Sequence, residues 1–367
     1  MPLPQSFYNA GLTRARMGVG KKVLVVCDKT PCTSFGRLTL DSLEALKQTG
    51  YEAEILWLSN RYSGFFTNRK KIANLLTEKS FDIVFLIHSG IGYLIPKIRT
   101  LLPSSKIVVM VHDIFWQTLH PLSPKYFLFR WLFANPSRNA DAFIFNSLYT
   151  QKESDRYFGK TKLSAIVGCP IHEGLFFRKE NCLSRAERLN FWEKCGVSGY
   201  RGVCLNVSLD EPRKNLNVFF KVASRNPDVA FVRVGHLLPG TQKKLKGLNL
   251  SNVYHFTDIS DELLVDFYRN ADLMIYPSLV EGFGLPPIEA IACGTPAVAV
   301  ETSALEENLK GVVPLLKDPE DVEGFSSVLR QALNGEKLIN DEAAKKLLDS
   351  CSLHAYADRL SNFFKTV

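Results

Sequence analysis

The segment YPSLVEGFGLPPIEAIACGTPAVAV, residues 276–300, carries two carboxylates, Glu281 and Glu289, eight residues apart among glycines and prolines. Proline has a fixed φ and no backbone N–H, so it suits the first positions of a helix, where amide donors have no partner within the helix. The pair Pro286 and Pro287 therefore predicts that a helix begins here, with Glu289 in its first turn and Glu281 on the loop before it. We expect both carboxylates to face one small region at the helix N-terminus.

This region has the features of an anion site. Free N–H groups and the helix dipole favour phosphate at a helix N-terminus, and Gly282 and Gly284 would let a ligand approach the backbone closely. Two carboxylate acceptors beside such a site predict a ligand that is both polyhydroxylated and phosphorylated. The alternative is that the two glutamates only cap and solvate an ordinary turn between a strand and a helix.

The rest of the chain alternates short apolar strands with helix-like segments, twice over. The strand-like segments of the first half are KVLVV, EAEILWL, DIVFLI, KIVVMV and DAFIFN, and those of the second half are GVCLNVS, VAFVRVG, NVYHF, ADLMIYP and TPAVAV. Continuous apolar strands between helices indicate a parallel sheet that is covered on both faces and binds ligands at the carboxyl ends of its strands. We therefore predict an α/β protein with two doubly wound, Rossmann-like domains facing across a cleft.

The length of 367 residues also favours two domains, because it exceeds the usual size of one hydrophobic core. We place the N-terminal Rossmann-like domain at residues 1–175 and the second at residues 201–350. Residues 176–200 are charged and lack strand character, so they are predicted as a linker region. Residues 351–367 are predicted as a final helix, and its return to the N-terminal domain is left open.

The composition is that of an ordinary globular protein, with 46% hydrophobic and 22% charged residues. No apolar run reaches the roughly 18 to 20 residues of a membrane span, and the N-terminal residues lack the apolar core of a signal peptide. We therefore expect a cytoplasmic protein, with attachment to the inner membrane surface as the alternative. The eight cysteines form no Cys-x-x-Cys pair, which favours buried free thiols over disulfides or zinc ligands.

The formal charge of +8 predicts attraction to an acidic partner but does not distinguish nucleic acid, anionic lipid and nucleotide phosphate. Two segments, residues 60–76 and 120–139, are both basic and aromatic. Such segments either make peripheral contact with an anionic membrane or form core helices with solvated ends. No recognisable nucleic-acid-binding module accompanies them, so we expect no nucleic acid partner.

Several motifs resemble those of the retaining glycosyltransferases of family 4. The similarity is strongest from about residue 203 to about residue 321, where EPRKN, a Glu-x7-Glu signature with EGFGLP, and the start of LLKDPEDVEGF occur in the family's order and spacing. It is weaker in the first half, where it rests on SFGRLTLDSL, VHD and FNSLYTQKESDRYFG. The resemblance implies the B-type (GT-B) fold, with an N-terminal acceptor domain and a C-terminal domain that binds a nucleotide sugar. It also implies transfer of a hexose-type sugar, with retention of the anomeric configuration, to a hydroxyl of a glycan, a lipid-linked glycan or a small molecule.

The resemblance assigns roles to individual residues. Glu289 would accept hydrogen bonds from ribose hydroxyls, and Glu281 would contact hydroxyls of the transferred sugar. Lys214, with Arg213 beside it, would neutralise the departing diphosphate, and His112 of the first domain would approach the donor sugar. The implied catalytic residues are His112, Lys214 and Glu281. The implied donor-binding residues are Gly36, Ser208, Arg213, Lys214, Glu281, Gly282, Phe283, Gly284, Leu285 and Glu289.

Two further expectations concern what the site lacks. We expect no metal and no other cofactor, because no Asp-x-Asp sequence is positioned to hold a metal ion. Many family members carry an Arg six residues before the Lys, whereas this chain has Ser208 there, which can donate a hydrogen bond but has no charge. Either Arg213 compensates, or turnover is slower, or the donor binds without useful chemistry. A catalytically silent nucleotide-sugar-binding or scaffold protein is therefore the alternative function.

Overall fold

A computed structural model describes residues 20–30, 33–60, 63–114, 127, 130–160, 163–177 and 183–367, without the side chain of Phe133. The chain divides into two compact units. The first contains Met1–Pro170 and Cys351–Val367, and the second contains Ile171–Ser350. The predicted final segment 351–367 thus belongs to the first unit, and the described residues of the predicted linker region 176–200 belong to the second.

The first unit is built on a six-stranded parallel sheet. Its strands are β1 (Lys22–Cys27), β2 (Glu52–Trp57), β3 (Ile83–Leu86), β4 (Lys106–Val111), β5 (Ala142–Phe145) and β6 (Ser164–Ile166). Their order across the sheet is β2-β1-β3-β4-β5-β6. Strand β1 lies between β2 and β3, with Val23 beside Ala53 on one side and Ile83 on the other. Parallel neighbours need crossover connections, which place helices on the faces of the sheet.

Helices cover both faces of this sheet. They are α1 (Ser34–Gln48), α2 (Phe65–Glu78), α3 (Ile95–Leu101), α4 (Leu148–Phe158) and the C-terminal helix (Leu353–Phe364), with 3₁₀ helices at Ser89–Leu94 and Asn135–Asn139 and a π-helix at Arg130–Ala134. Leu24 packs into the cluster that contains residues of α2 and α3, whereas Val23 packs into the cluster of α1 and the C-terminal helix. Burial on both faces explains why the strands read as continuous apolar runs.

The second unit repeats this architecture. Its strands are β7 (Val203–Val207), β8 (Ala230–Val234), β9 (Val253–Phe256), β10 (Leu273–Tyr276), β11 (Ala297–Val300) and β12 (Leu315–Leu316), in the parallel order β12-β11-β10-β7-β8-β9. Its helices are α5 (Arg185–Lys194), α6 (Leu216–Arg225), α7 (Pro239–Leu248), α8 (Asp261–Asn270), α9 (Leu285–Ala292), α10 (Ser303–Leu309), α11 (Val322–Leu333) and α12 (Asp341–Ser350). The prediction of two doubly wound α/β sheets is confirmed.

Helix α5 lies in the segment that we predicted as a linker. It begins with a capping box, in which the Ser184 side chain accepts from the Glu187 N–H and the Glu187 carboxylate accepts from the Ser184 N–H. Trp192 on this helix is fully buried, and its indole N–H donates to the Asn270 carbonyl at 2.8 Å. The helix is therefore packed into the second unit. In the described part of the chain, we find no helix both long and apolar enough to cross a bilayer.

Candidate functional site

Glu281 is the centre of a buried hydrogen-bond network at the carboxyl end of β10. Only 6% of the residue is exposed. Its Oε1 lies 2.5 Å from Lys214 Nζ and 2.5 Å from Ser278 Oγ, and it also accepts from the Tyr276 hydroxyl at 3.0 Å. Its Oε2 accepts from Arg213 Nη1 at 2.9 Å. Both carboxylate oxygens therefore bind protein donors, and two of those donors are cations.

The charges in this network support one another. Burial alone would raise the pKa of Glu281, but the adjacent Lys214 and Arg213 lower that pKa below its ordinary value, so the carboxylate is ionised. Burial lowers the pKa of Lys214, and Glu281 opposes this shift. Lys214 also donates to the Tyr276 hydroxyl at 2.7 Å. Glu281 thus stabilises a charged lysine at a position that water barely reaches.

Short loops bring these residues together from distant parts of the sequence. Arg213 and Lys214 lie on a single 3₁₀ turn, Pro212–Lys214, which follows β7. Asn215 ends that turn in the left-handed conformation, at φ 50°. The backbone carbonyl of Arg213 accepts from the Leu279 N–H at 2.7 Å, which ties the turn to the loop after β10. Parallel strands β7 and β10 are neighbours, so their carboxyl ends place the two loops side by side.

Helix α9 begins one residue earlier than the prolines predicted. Gly284 precedes it at φ 89°, and a Cβ there would lie 2.5 Å from Leu305 Cδ2, so this position requires glycine. Leu285 is the first helical residue. Glu289 is consequently the fifth, and the expectation that it lies in the first turn is wrong. Its Oε2 accepts from the Tyr268 hydroxyl at 2.8 Å.

Ser208 is held by its neighbours at the end of β7. Its hydroxyl donates to Asn206 Oδ1 at 2.9 Å, and its carbonyl accepts from Arg233 Nη2 at 3.0 Å. Arg233 lies on β8, is completely buried, and also donates to the carbonyls of Gly235 and His236. Burial lowers the pKa of Arg233 to about 10, so it is still a cation at neutral pH.

Sequence reasoning did not identify Arg233. The available signal is a single charged residue within the otherwise apolar segment VAFVRVG. Reasoning from motifs also missed Tyr276 and Ser278, which complete the Glu281 network. Their positions directly before and within the PSLVEGFG loop were visible, but their hydrogen bonds to a single carboxylate oxygen depend on the fold of that loop.

The first unit contains the two remaining predicted residues, His112 and Gly36. His112 follows β4, and its Nε2 lies 2.9 Å from the Ile87 carbonyl. A carbonyl oxygen only accepts, so Nε2 carries the proton and Nδ1 keeps a lone pair. Burial lowers the pKa of His112 to about 3, which keeps the imidazole neutral. The Phe35 ring packs edge-on against His112 at 4.8 Å between centroids, and Gly36 follows in the first turn of α1.

Among the predicted donor-site residues of the second unit, Arg213 and Lys214 contact Glu281 directly. The set comprises Ser208, Arg213, Lys214, Glu281, Gly282, Phe283, Gly284, Leu285 and Glu289, on the loops after β7 and β10 and on α9. Gly36 and His112 lie in the first unit. In the described ranges, we find no group of three or more His, Cys, Asp and Glu side chains arranged to hold a metal ion.

Comparison with known proteins identifies relatives of both halves. The family model described as Glycosyl transferases group 1 matches residues 194–347, and the model described as Glycosyltransferase Family 4 matches residues 11–171. The O-antigen chain mannosyltransferase B of Escherichia coli is 30% identical over 162 residues, which is 42% of each chain. The MMP alpha-(1->4)-mannosyltransferase of Mycolicibacterium hassiacum is 34% identical over 35% of this chain and 34% of its own length. The chain therefore spans less than half of each of these curated relatives.

Solved structures share the fold over nearly the whole chain. The sucrose-phosphate synthase of Thermosynechococcus elongatus superposes with a TM-score of 0.77 at 16% identity, over 94% of this chain and 98% of that one. HepE of Anabaena, solved in complex with UDP-glucose, superposes with a TM-score of 0.74 at 17% identity, over 95% of this chain and 100% of the HepE chain. One family model matches each half of the chain, and the shared fold agrees with both models on the family. The chain belongs to glycosyltransferase family 4, group 1, and has the GT-B fold.

Proposed function

We propose that the protein transfers a hexose-type sugar from a nucleoside-diphosphate sugar to an acceptor hydroxyl, with retention of the anomeric configuration. The observation that carries this proposal is the buried network in which Glu281 holds Lys214 and Arg213 at the carboxyl ends of β7 and β10. Cations that are fixed before the reaction suit a step in which negative charge grows on a departing diphosphate. The glycines and helix N-terminus beside them suit the phosphates and the sugar.

In this mechanism, the anomeric C–O bond breaks while Lys214 and Arg213 stabilise the charge on the leaving diphosphate. The leaving phosphate then takes the proton of the acceptor hydroxyl, which attacks the same face of the sugar. His112 is neutral, so it binds a sugar hydroxyl without adding charge. Neither a metal ion nor another cofactor is required, because the side chains of Lys214 and Arg213 neutralise the diphosphate. Activity that persists in excess EDTA is the expected result.

The names of the relatives guide the choice of donor. Two of them are mannosyltransferases, and one structural neighbour holds UDP-glucose. A panel of UDP- and GDP-linked hexoses therefore tests the proposal. Without an acceptor, the assay measures slow hydrolysis of the donor; with an acceptor, it measures transfer of the sugar. The acceptor classes to be compared are a glycan, a lipid-linked glycan and a small sugar or polyol. NMR of the product would show whether the anomeric configuration is retained.

Ser208 favours a second candidate, a catalytically silent protein that binds a nucleotide sugar or acts as a scaffold. Its hydroxyl brings no charge to a position where the resemblance to family 4 implies an Arg. Donor binding without hydrolysis or transfer, across the panel, would select this candidate. Absence of both binding and turnover would refute both candidates.

A matched pair of lysine variants completes the test. Lys214→Ala should depress kcat more than donor affinity, since the charge that Lys214 meets grows towards the transition state. Lys221→Ala removes a lysine from α6 that is exposed and pairs with Glu320 at 2.7 Å, and it should leave both constants unchanged. Equal losses of kcat and affinity in Lys214→Ala would instead indicate ground-state binding only.

A further inference from the structure

The net positive charge of the chain comes from the first unit. That unit contains 24 of the 45 Lys and Arg residues and 12 of the 37 Asp and Glu residues, which gives a formal charge of +12. The second unit contains the other 21 basic and 25 acidic residues, which gives −4. A nucleotide-sugar site in the second unit therefore does not account for the excess. The first unit has its own reason to attract an anionic partner.

Large exposed aromatic side chains lie in the same unit. Phe66 on α2 is 82% exposed, and Trp131 on the π-helix is 63% exposed. Both belong to segments without any Asp or Glu: residues 60–76 carry four Lys or Arg, and residues 120–139 carry three. Lys70 and Arg138, which belong to these two segments, are exposed. Protruding aromatic rings within a basic surface are the composition of an interfacial membrane anchor.

The two aromatic residues belong to one packed region. Their sequence neighbours Phe65 and Leu132 both pack against the same core cluster, on the α2 and α3 face of the sheet. Phe65 stacks on Tyr93 of the 3₁₀ helix with 4.9 Å between ring centroids. The π-helix packs against that same 3₁₀ helix. The fold thus packs Phe65 and Leu132 against the core and leaves the adjoining Phe66 and Trp131 exposed to solvent.

We propose that this surface, defined by Phe66, Lys70, Trp131 and Arg138 and here named the aromatic-basic face, docks the first unit on a bilayer that contains anionic lipid. Basic side chains supply long-range attraction to the anionic headgroups, and the aromatic rings enter the interface between headgroups and acyl chains. A bilayer fits better than a nucleic acid, because the exposed rings accompany apolar neighbours and no nucleic-acid-binding module. The proposal does not depend on the proposed function.

The test is co-sedimentation of the full chain with vesicles. One set contains phosphatidylcholine alone, and the other contains phosphatidylcholine and phosphatidylglycerol in equal amounts. We expect binding to the anionic vesicles that weakens as salt rises, and little binding to the neutral ones. Equal binding to both sets, or binding to neither, would overturn the proposal.

Variants identify the face. Phe66→Ser and Trp131→Ser should each weaken binding by about tenfold, the loss expected for withdrawing one large apolar side chain from the interface. Lys70→Gln should weaken it by about fivefold. The matched controls lie on α7 of the second unit, where Leu248 and Lys246 are also exposed. Leu248→Ser and Lys246→Gln should bind like the wild type.

Other occupants of the face would give different results. If the face is instead a contact between two copies of the chain, Phe66→Ser would abolish a concentration-dependent dimer while no variant changes vesicle binding. If it binds nucleic acid, single-stranded RNA would compete with vesicles and bind more tightly. Either result would overturn the proposal, as would equal losses in the face and control variants. Each variant's thermal unfolding temperature should match the wild type, because all the changed side chains are exposed.

Discussion

The Glu281→Gln variant tests whether one carboxylate holds the two cations of the candidate site. Glutamine keeps the size of the side chain and can still accept from Ser278, but it leaves Lys214 buried without an anion. Removing one partner of a buried ion pair typically costs about 3 to 5 kcal/mol, because the remaining charge stays out of water. We expect the free energy of unfolding of the second unit to fall by about that amount.

A double-mutant cycle separates the ion pair from other losses. Lys214→Met removes the cation and keeps an unbranched apolar chain in its place. In the double variant neither charge of the pair is present, so its loss of stability should be smaller than the sum of the two single losses, by about 0.5 to 3 kcal/mol. Arg213 remains near Oε2 in the Lys214→Met variant, so this single loss should be the smaller of the two.

The pH dependence of Glu281→Gln has a definite sign. Without the carboxylate, the pKa of Lys214 falls further below its ordinary value, because burial is then opposed only by weaker contacts. The unfolded chain then binds more protons than the folded one between the lowered pKa and about 10.4. Stability of the variant should therefore rise with pH from neutral to alkaline conditions.

Hydrogen exchange in increasing urea, read by mass spectrometry on peptides from β7 and β10, would report the second unit alone. Glu320→Gln is the matched control, because Glu320 pairs with Lys221 at 2.7 Å on the surface, and it should cost about 0 to 1 kcal/mol. The ion pair does not hold the site together if Glu281→Gln lowers the free energy of unfolding by no more than this control does. The same conclusion follows if the losses of Glu281→Gln and Lys214→Met add up to the loss of the double variant within about 0.5 kcal/mol.

Four further variants test other parts of the molecule. Burial raises the pKa of Asp41 to about 8, so the folded chain keeps a proton that the unfolded chain loses above about pH 4. The free energy of unfolding should therefore fall as pH rises from about 4 to about 8. Asp41→Asn should abolish this fall, as measured by thermal melts. His112→Gln should lower kcat without changing the shape of the pH–rate profile between about 5 and 8, because the pKa of His112 is about 3. Gly284→Ala should cost about 1 to 3 kcal/mol in urea unfolding, since its Cβ would clash with Leu305. Ser208→Arg should tighten nucleoside-diphosphate binding by calorimetry, because a guanidinium binds phosphate through two hydrogen bonds.

Each of these has a result that would count against it. Asp41→Asn with an unchanged pH dependence would place the titration elsewhere. If the wild-type profile has an acidic limb between about 5 and 8 that His112→Gln lacks, this imidazole titrates during turnover. Wild-type stability of Gly284→Ala would mean that the loop relaxes freely. Weaker diphosphate binding by Ser208→Arg would indicate that Arg213 already occupies the phosphate position.

The strands and the fold could be read from the sequence because parallel strands covered on both faces are continuous apolar runs. KVLVV and KIVVMV, for example, match β1 and β4 closely. Helix α5 was missed for the opposite reason. Its surroundings are highly charged, and the linker was predicted from that composition without considering the capping residues Ser184 and Glu187. Burial of Trp192, which makes the helix part of the second unit, depends on contacts with residues far along the chain.

Motifs selected the residues of the second unit that we predict for the site, but they did not show how these residues interact. The spacing of Glu281 and Glu289 indicated two acceptors near one helix start. Nothing local showed that Glu281 would accept from Lys214, 67 residues earlier in the chain. Contacts of this range arise from strand order, because β10 pairs directly with β7. A turn motif records neither that pairing nor the orientation of the side chains that it brings together.

The network also explains how a basic site can be both buried and charged. A lysine removed from water favours its neutral form, and a neutral amine would be a poor partner for a leaving diphosphate. Glu281 keeps Lys214 ionised, while its second oxygen holds the guanidinium of Arg213 in place. Arg213 Nε also pairs with Glu211 Oε2 at 2.7 Å, so the two cations meet two carboxylates that fix their charges in position. A fixed charge of this kind stabilises growing negative charge without rearranging its surroundings, which is the property that sugar transfer from a nucleoside diphosphate needs.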